Sequence, residues 1–153
     1  MRGDRDMSYF ACHVEKFKSN DVRGLQIHNQ RESSNSKNND IDSYRTILNY
    51  DLHNKDKINY NQRIKEIIAK GYKGTKAIRK DATVMTSTIV TSDKLFFDKL
   101  SLDEQKKFFE ETYKFLKECY GEKNIVSAVV HMDEKTPHMH LTAVPLTDDG
   151  KLS

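Results

Sequence analysis

Two apolar segments near the end of the chain are separated by too few residues to be anything but an antiparallel β-hairpin. Asn124 to Met132 (NIVSAVVHM) and His138 to Leu146 (HMHLTAVPL) are rich in β-branched residues, and only Met132 to Pro137 connects them. Parallel strands need a crossover of about a dozen residues or more, so strands joined this tightly must be antiparallel. This hairpin is the strongest constraint that the sequence places on the fold.

Three of the six histidines of the chain lie in this hairpin, namely His131, His138 and His140. Residues two apart in a strand point to the same face, so His138 and His140 project together, and His131 can stand opposite them on the paired strand. Three converging imidazoles suit a divalent metal with open positions for a substrate. The alternative is a set of ordinary polar positions on a solvated sheet face. We predict a metal site, although histidines alone do not identify the ion.

Two carboxylates, Asp133 and Glu134, lie in the turn between the strands. Either one could bind the metal, orient a metal ligand or accept a proton. The residue types leave open which carboxylate does so.

Hydrophobic periodicity assigns the other elements and predicts an α+β fold, an antiparallel β-sheet with α-helices packed on it. The predicted earlier strands are Ser8 to Phe17 and Thr83 to Thr91. The predicted helices are one capped by Asp21, one over Tyr60 to Lys70, and one that begins with the capping box of Ser101 and Glu104 and ends before Gly121. Ser33 to Asp42 is predicted to be a polar loop.

A turn signal close to the last residue suggests that the sheet is not complete. Asp148, Asp149 and Gly150 resemble a hairpin turn, but the chain ends three residues later. We therefore expect a fifth strand beyond Ser153. Residues 1–153 are predicted to form a single domain that is truncated at its C-terminus. The sheet of the full domain is predicted to have about five strands.

Composition narrows the class of protein. No apolar run approaches the roughly 18 residues that a transmembrane helix needs, and the first residues lack the apolar core of a signal peptide, so membrane insertion and secretion are not predicted. We expect a cytoplasmic protein. The formal net charge of +3 permits binding to nucleic acid without requiring it.

Four separated motifs resemble one family. They are HNQR at 28–31, NYDL at 49–52, AIRKDA at 77–82 and HMDEKTPHMHLTAVP at 131–145. The His-hydrophobic-His segment is the signature of the HUH endonucleases. The four motifs together closely resemble the Mob/Pre (MobV-type) plasmid mobilisation relaxases, in the same order, over nearly the whole chain from Met7 onward.

The resemblance implies an activity, a fold and partners. Relaxases nick one DNA strand at a transfer origin by transesterification, keep the 5′-phosphate covalently attached, and later rejoin the strand. The implied fold is HUH relaxase-like, the implied cofactor is Mn²⁺ or Mg²⁺, and the implied substrate is single-stranded or hairpin origin-of-transfer DNA. Other transfer proteins and self-association would involve the family's C-terminal region, which is absent from this chain.

In MobV-type relaxases the nucleophile is a histidine, and the matching residue here is His28. A neutral imidazole can attack near pH 7 because its reference pKa is ~6.5, whereas tyrosine must lose a proton at ~10. On a continuous helix, Arg31 would follow about one turn later on the same face, where it would oppose protonation of His28 and bind phosphate oxygens. Glu134 could hydrogen-bond the other ring nitrogen of His28.

DNA contacts are predicted for Asn29, Arg79, Lys80 and Tyr50. Tyr50 is also the rival nucleophile by analogy with tyrosine relaxases, although packing or base stacking is the preferred interpretation. The alternatives are an HUH replication initiator with a tyrosine nucleophile, and a non-catalytic DNA-binding protein with a structural metal site. The remaining histidines, His13 and His53, are predicted to be surface residues outside the cluster.

Overall fold

The protein forms one antiparallel sheet with helices on both faces. A computed structural model describes residues 10–33 and 39–153. The strands are β1 (Phe10–Lys18), β2 (Tyr50–Asp51), β3 (Thr83–Ser92), β4 (Ile125–His131) and β5 (His138–Ala143), in the sheet order β1-β3-β5-β4-β2. The helices are α1 (Ser19–Asn29), α2 (Tyr60–Gly71), α3 (Lys94–Asp98) and α4 (Leu102–Tyr120), with 3₁₀ helices at Ser43–Leu48 and Glu122–Asn124. The predicted α+β class is confirmed.

The predicted hairpin is β4 and β5. His131 pairs with His138, and Val129 pairs with His140, in an antiparallel register. β5 also pairs with β3, so the hairpin lies in the middle of the sheet and both of its strands are buried. The histidines therefore project from a rigid backbone.

The two faces of the sheet have separate cores. One core lies under α4 and includes Val130, Met139, Leu141, Phe109 and Leu116. The other lies under α1 and α2 and contains eight buried residues, namely Val22, Tyr60, Ile64, Ile67, Val84, Met85, Val126 and Val144. Because side chains alternate along a strand, the histidines of β5 point away from the α4 core and toward α1.

Helix α4 begins where the capping box predicts. Ser101 Oγ accepts from the backbone N–H of Glu104, and the Glu104 side chain accepts from the N–H of Ser101. Gly121 follows the helix with a φ of 86°, a conformation that favours glycine.

The strand expected beyond Ser153 stays a prediction, but the described sheet already contains a fifth strand that was not predicted. It is β2, a pair of residues that hydrogen-bonds to the outer edge of β4. The turn at Asp148 to Gly150 does form, but its flanking residues Leu146 and Leu152 make only an isolated bridge outside the sheet. Two residues are too few to give an alternating pattern, so sequence periodicity had no means of detecting β2.

Other boundaries differ from the predictions. Helix α1 begins at Ser19, and its N-cap residue Lys18 makes no side-chain hydrogen bond, so Asp21 lies within the first turn and is not the cap. The predictions for Ser8 to Tyr9 and for 34–38 of the polar loop lie outside the described residues. Within the described part of the chain, no helix is both long and apolar enough to cross a membrane.

Candidate metal centre and active site

The three hairpin histidines meet on the sheet face that α1 covers. Their ring centroids are 4.9 Å apart for His131 and His140, 5.0 Å for His138 and His140, and 5.2 Å for His131 and His138. His131 is fully buried, and His140 is 6 % exposed. The structure thus brings together all three predicted metal ligands.

Backbone carbonyls fix the tautomers of two rings. His131 Nε2 lies 2.8 Å from the carbonyl oxygen of Asn29, and His138 Nδ1 lies 2.9 Å from that of Thr136. Because a carbonyl only accepts, both of these nitrogens carry the proton. In the neutral rings, the other two nitrogens, His131 Nδ1 and His138 Nε2, present lone pairs to each other at 3.3 Å. A cation between them would turn this repulsion into attraction.

His140 supplies the strongest indication that the cluster fits a metal. Both of its ring nitrogens are buried, and neither has a hydrogen-bond partner among the described residues. An unsatisfied buried polar group costs about 1–3 kcal/mol, so such a group calls for a ligand. Ligand atoms lie within 4.8 Å of one another in two overlapping groups, His28 with His131 and His140, and His131 with Glu134 and His138. Imidazole nitrogens with a carboxylate suit a divalent transition ion.

His28 stands beside the cluster, near the end of α1. Its ring centroid is 5.5 Å from that of His131 and 5.6 Å from that of His140. Burial lowers the pKa of His28 below its usual value, and the nearby Arg31 lowers it further. The ring is therefore neutral near pH 7. A cleft of about 390 Å³, lined in part by His28, Glu134, His138 and His140, leaves the site open to solvent.

Arg31 reaches the site from a position that the sequence analysis did not predict. Helix α1 ends at Asn29, and Arg31 has a φ of 53°, in the left-handed region. The prediction that Arg31 continues the helical face of His28 is therefore wrong. Its guanidinium donates to Asp133, to Glu134 and to the carbonyl of His28, so its fork is occupied by protein groups and not open to phosphate. A left-handed residue with a side chain costs about 1–2 kcal/mol, which these contacts offset.

The two turn carboxylates have different surroundings. Asp133 is completely buried and accepts from Arg31, Thr46 and Asn49. Burial alone would raise its pKa, but these hydrogen bonds outweigh burial and hold the pKa well below the usual value. It faces neither the cleft nor the histidines.

Glu134 is the carboxylate that faces the histidines. Oε2 lies 3.3 Å from His138 Nε2, 3.6 Å from His131 Nδ1 and 2.8 Å from Arg31 Nη2. Its contact with His138, together with its hydrogen bond from Arg31, lowers its pKa to about 2. In the described part of the chain Glu134 makes no hydrogen bond to His28, so the predicted contact between them is absent. Glu134 is placed to orient the histidines or bind the metal with them.

Of the residues predicted to contact DNA, Asn29 is buried and Tyr50 is half-buried. Asn29 is 1 % exposed, and its side-chain amide donates to the hydroxyl of Tyr60. Its backbone carbonyl accepts from His131, so Asn29 holds the His131 ring in place. Tyr50 pairs with Val130, whose side chain faces the α4 core, and it packs against that core. It therefore lies on the opposite face of the sheet from the histidines.

The basic residues Arg79 and Lys80 are exposed but distant from the site. They precede Thr83 at the start of β3, whereas Thr91 near its end pairs with His138. Eight residues of strand at ~3.3 Å each separate the two levels by about 26 Å. Arg79 forms an exposed ion pair with Asp81.

The remaining histidines lie outside the cluster, as predicted. His13 is an exposed residue of β1. His53 is not a free surface residue, because it is half-buried and Nδ1 hydrogen-bonds to the hydroxyl of Tyr113.

The sequence analysis missed the 3₁₀ helix at Ser43–Leu48 and its role in holding the hairpin turn. Arg45 donates to the carbonyl of Met132, Thr46 donates to Asp133, and Asn49 bonds to both. Asn49 belongs to the NYDL motif, which was the only signal that could have drawn attention to it.

The buried histidines predict a specific loss of stability in acid. Burial lowers the pKa of His131 to about 3 and that of His140 to about 2, against ~6.5 in the unfolded chain. Below pH 6.5 the unfolded state therefore binds protons that the folded state does not bind. The free energy of unfolding is thus highest above this pH and decreases as the pH falls. In the presence of a chelator, lowering the pH from 7 to 5 should reduce the free energy of unfolding. The reduction should be about 2 kcal/mol smaller in His140→Leu than in the unmodified chain. Urea unfolding at both pH values measures this, and equal losses would contradict the lowered pKa of His140.

Comparison with known proteins gives a single family. The Mob_Pre family, described as plasmid recombination enzyme, matches residues 7–153. A plasmid recombination enzyme of a Bacillus species is 53 % identical over 146 residues, which cover 95 % of this chain and 35 % of the relative. A type 3 plasmid recombination enzyme of Staphylococcus aureus is 49 % identical over 148 residues, covering 96 % and 36 %. The chain thus spans about a third of the length of these relatives.

Solved structures of one relaxase domain share the fold. The MobM relaxase domain (MOBV; Mob_Pre), Mn-bound and in complex with 22 nucleotides of pMV158 oriT DNA, has a TM-score of 0.87 and 41 % identity, with coverage of 95 % of this chain and 74 % of that one. A second Mn-bound complex, with a 3′-thiophosphate DNA, gives a TM-score of 0.89 at 40 % identity with the same coverage. The five-stranded sheet and its packed helices are therefore those of this relaxase domain.

Proposed function

Because this chain belongs to the Mob_Pre family of plasmid recombination enzymes, we propose that it is the catalytic domain of a plasmid mobilisation relaxase. It would nick one strand of origin-of-transfer DNA, keep the 5′-phosphate on His28, and later rejoin the strand. The DNA substrate implies action in the cytoplasm. Self-association and contacts with other transfer proteins remain predictions.

One observation carries the proposal, namely the approach of His28 to the metal-ligand histidines. Centroid separations of 5.5 and 5.6 Å allow one phosphodiester group to touch both the His28 ring and an ion held by the cluster. His28 and the hairpin are about a hundred residues apart in sequence, so their meeting depends on how α1 packs against the sheet. A neutral, cleft-lining imidazole beside a cation site is the arrangement that nucleophilic attack on phosphorus requires.

The reaction conserves atoms and protons. A lone pair on neutral His28 attacks the scissile phosphorus, a P–N bond forms, and the bond from phosphorus to the 3′ oxygen breaks. Release of the proton on the other ring nitrogen balances the proton that the 3′ oxygen gains. The phosphoramidate is reactive enough for a DNA 3′-hydroxyl to displace it, which reseals the strand.

The residues around His28 have separate tasks. His131, His138 and His140 would hold the ion, with Glu134 beside them. A bound divalent ion, Mn²⁺ as in the MobM complexes or Mg²⁺, would polarise the phosphate and neutralise developing charge. Burial lowers the pKa of His28, and Arg31 lowers it further because its positive charge disfavours a second one nearby. Arg79 and Lys80 would bind the DNA backbone far from the cleaved bond.

The test is covalent capture. The chain is incubated with Mn²⁺ and single-stranded fragments tiled across the DNA that encodes it, with the 22-nucleotide pMV158 oriT strand for comparison. We expect cleavage of one strand at one position and a protein–DNA adduct that mass spectrometry maps to His28. The absence of cleavage and adduct on every fragment would contradict the proposed function.

Tyr50→Phe should leave nicking within about twofold of the unmodified rate. Tyr50 lies on the α4 side of the sheet, and burial raises the pKa of its phenol, so it is not a usable nucleophile near pH 7. Gel assays of nicking and adduct formation measure this. Loss of the adduct in this variant alone would instead favour the alternative of a replication initiator with a tyrosine nucleophile.

A non-catalytic DNA-binding protein with a structural metal site is the second candidate. It is favoured by one observation, since the nitrogens of His28, His131 and His140 lie within 4.8 Å of one another and His28 could itself be a ligand. In that case His28→Ala would weaken metal binding, and no ion would support strand cleavage.

A further inference from the structure

Asp133 carries a carboxylate that no substrate can reach, because its side chain is completely buried. Arg31 donates to both of its oxygens, at 2.8 and 2.9 Å, and Thr46 and Asn49 each donate to Oδ2 at 2.8 and 2.9 Å. None of these donors belongs to the hairpin that carries Asp133. The carboxylate therefore ties the hairpin turn to two other segments of the chain and takes no direct part in chemistry.

Arg31 links this carboxylate to His28. While Nε and Nη2 bond to Asp133, Nη1 donates to the carbonyl oxygen of His28 at 2.8 Å. Arg31 also stands in the left-handed region immediately after α1, where a residue with a side chain is held only by its surroundings. The last turn of α1, which carries His28, is thus fixed to the hairpin by this guanidinium, in addition to the hydrogen bond from His131 to the backbone carbonyl of Asn29.

We propose that Asp133 is a positioning residue for His28 and acts through Arg31. The inference rests on the proposed function, since the position of His28 matters for rate only if His28 reacts. Displacement of a reacting group by about 1 Å can cost on the order of a hundredfold in rate. Loss of the Asp133 carboxylate removes two of the hydrogen bonds that hold Arg31 and leaves the one to Glu134, so the restraint on the carbonyl of His28 is weakened.

The backbone of the hairpin turn is held independently of this carboxylate. The N–H of Asp42 donates to the Asp133 carbonyl at 2.7 Å, the N–H of Met132 donates to the Asn49 side chain, and Arg45 donates to the Met132 carbonyl. The turn therefore stays in place when only the carboxylate is changed. The metal ligands on either side of it should keep their positions, so the defect should fall on the nucleophile.

Asp133→Asn tests the proposal, because it preserves shape and removes the charge. We expect the single-turnover nicking rate at saturating DNA to fall about a hundredfold, with DNA affinity and the Mn²⁺-induced rise in melting temperature changed by less than about twofold. A purely structural role predicts instead that metal binding and DNA affinity fall together with the rate.

Two further variants separate positioning from misfolding. Arg31→Lys keeps the charge but cannot span Asp133 and His28 together, so it should show the same rate defect, and adding Asp133→Asn to it should cost little more. Asp51→Asn is the matched control, because Asp51 accepts four hydrogen bonds, from His53, from Ala128 and from two nitrogens of Asn54, and contacts none of the clustered histidines. It should lose stability but retain the rate of the folded protein within about threefold. Additive effects of the two site variants would overturn the proposal.

A measurement without DNA distinguishes this inference from the proposed function. In a chelator, the imidazole NMR signals of His28 should shift and broaden in Asp133→Asn, while those of His131 and His140 stay within the spread seen for Asp51→Asn. Unchanged His28 signals would overturn the link whether or not the chain nicks DNA. Shifted signals in a chain that forms no adduct would leave the link standing and reject the relaxase function.

Discussion

Replacement of His28 by alanine is expected to abolish the covalent protein–DNA adduct and to lower the nicking rate by on the order of 10⁴-fold or more. A loss of that size with substrate binding intact is expected for a group that bonds to the phosphorus. Affinity for the same DNA should stay within about threefold, because most binding energy comes from contacts with the phosphate backbone. Adduct yield on denaturing gels and the single-turnover rate measure both effects.

The chemistry of the adduct gives an independent readout in the unmodified chain. A P–N bond to imidazole hydrolyses in acid far faster than a phosphotyrosine ester. Brief acid treatment should therefore release the DNA from the protein, whereas an adduct that survives acid would contradict attack by histidine. His13→Ala is the matched control, since His13 is an exposed histidine on the edge strand, and it should form the adduct at the unmodified rate.

The His28→Ala variant also shows whether His28 acts as a nucleophile or as a metal ligand. If His28 attacks phosphorus, His28→Ala keeps the thermal stabilisation by Mn²⁺, because the three hairpin histidines remain. If His28 is instead a fourth ligand, that stabilisation falls together with the activity. A variant that loses both would show that His28 binds the metal, whereas the structural-metal alternative predicts no cleavage even by the unmodified chain.

The sequence predicted the convergence of the three hairpin histidines correctly because the rule involved is purely local. Side chains two apart in a strand share a face, and a short turn forces antiparallel pairing, so the meeting of His138 and His140 with His131 needs no knowledge of the rest of the fold. The capping box at Ser101 is local in the same sense, since both of its hydrogen bonds lie within four residues.

Predictions that extrapolated beyond one element failed. Arg31 was placed on the helical face of His28 by continuing the period of 3.6, but α1 ends at Asn29 and the chain reverses through a left-handed residue. Asn29 was predicted to contact DNA, whereas in the structure it is buried, its side-chain nitrogen donates to Tyr60 and its backbone carbonyl accepts from His131. Contacts with distant segments of the chain determine where Arg31 and Asn29 lie, and local sequence patterns do not predict such contacts.

The assignment of His28 as the nucleophile came from the family resemblance and not from physical reasoning. A histidine near the end of an amphipathic helix is ordinarily a solvated residue, and nothing in its neighbours distinguishes it. Its approach to the cluster depends on how α1 crosses the sheet, which follows from packing of Val22 against α2 and the sheet. The Asp133 contacts that join Arg31, Thr46 and Asn49 are equally invisible from sequence, because they connect segments up to 102 residues apart.

Replacement of His140 by leucine is expected to eliminate Mn²⁺ binding and nicking while leaving the metal-free protein as stable as the unmodified chain, within about 1 kcal/mol, or more stable. Both ring nitrogens are buried without hydrogen-bond partners among residues 10–33 and 39–153, so in the metal-free protein an apolar side chain of similar size removes a penalty. With the ion, the unmodified chain should gain about 2.7 kcal/mol when free Mn²⁺ is about a hundredfold above its Kd, and His140→Leu should gain none.

The opposite signs of these two effects make the prediction specific. A merely structural histidine would destabilise the metal-free protein when removed, and a misfolded variant would do so in every condition. Thermal unfolding with chelator and with Mn²⁺ measures both, with His53→Leu as the control, because His53 is half-buried but lies outside the cluster and should keep the Mn²⁺ gain despite losing its bond to Tyr113. If His140→Leu retained the gain from Mn²⁺, the ion would bind elsewhere, and the hairpin histidines would have lost their proposed role in cleavage.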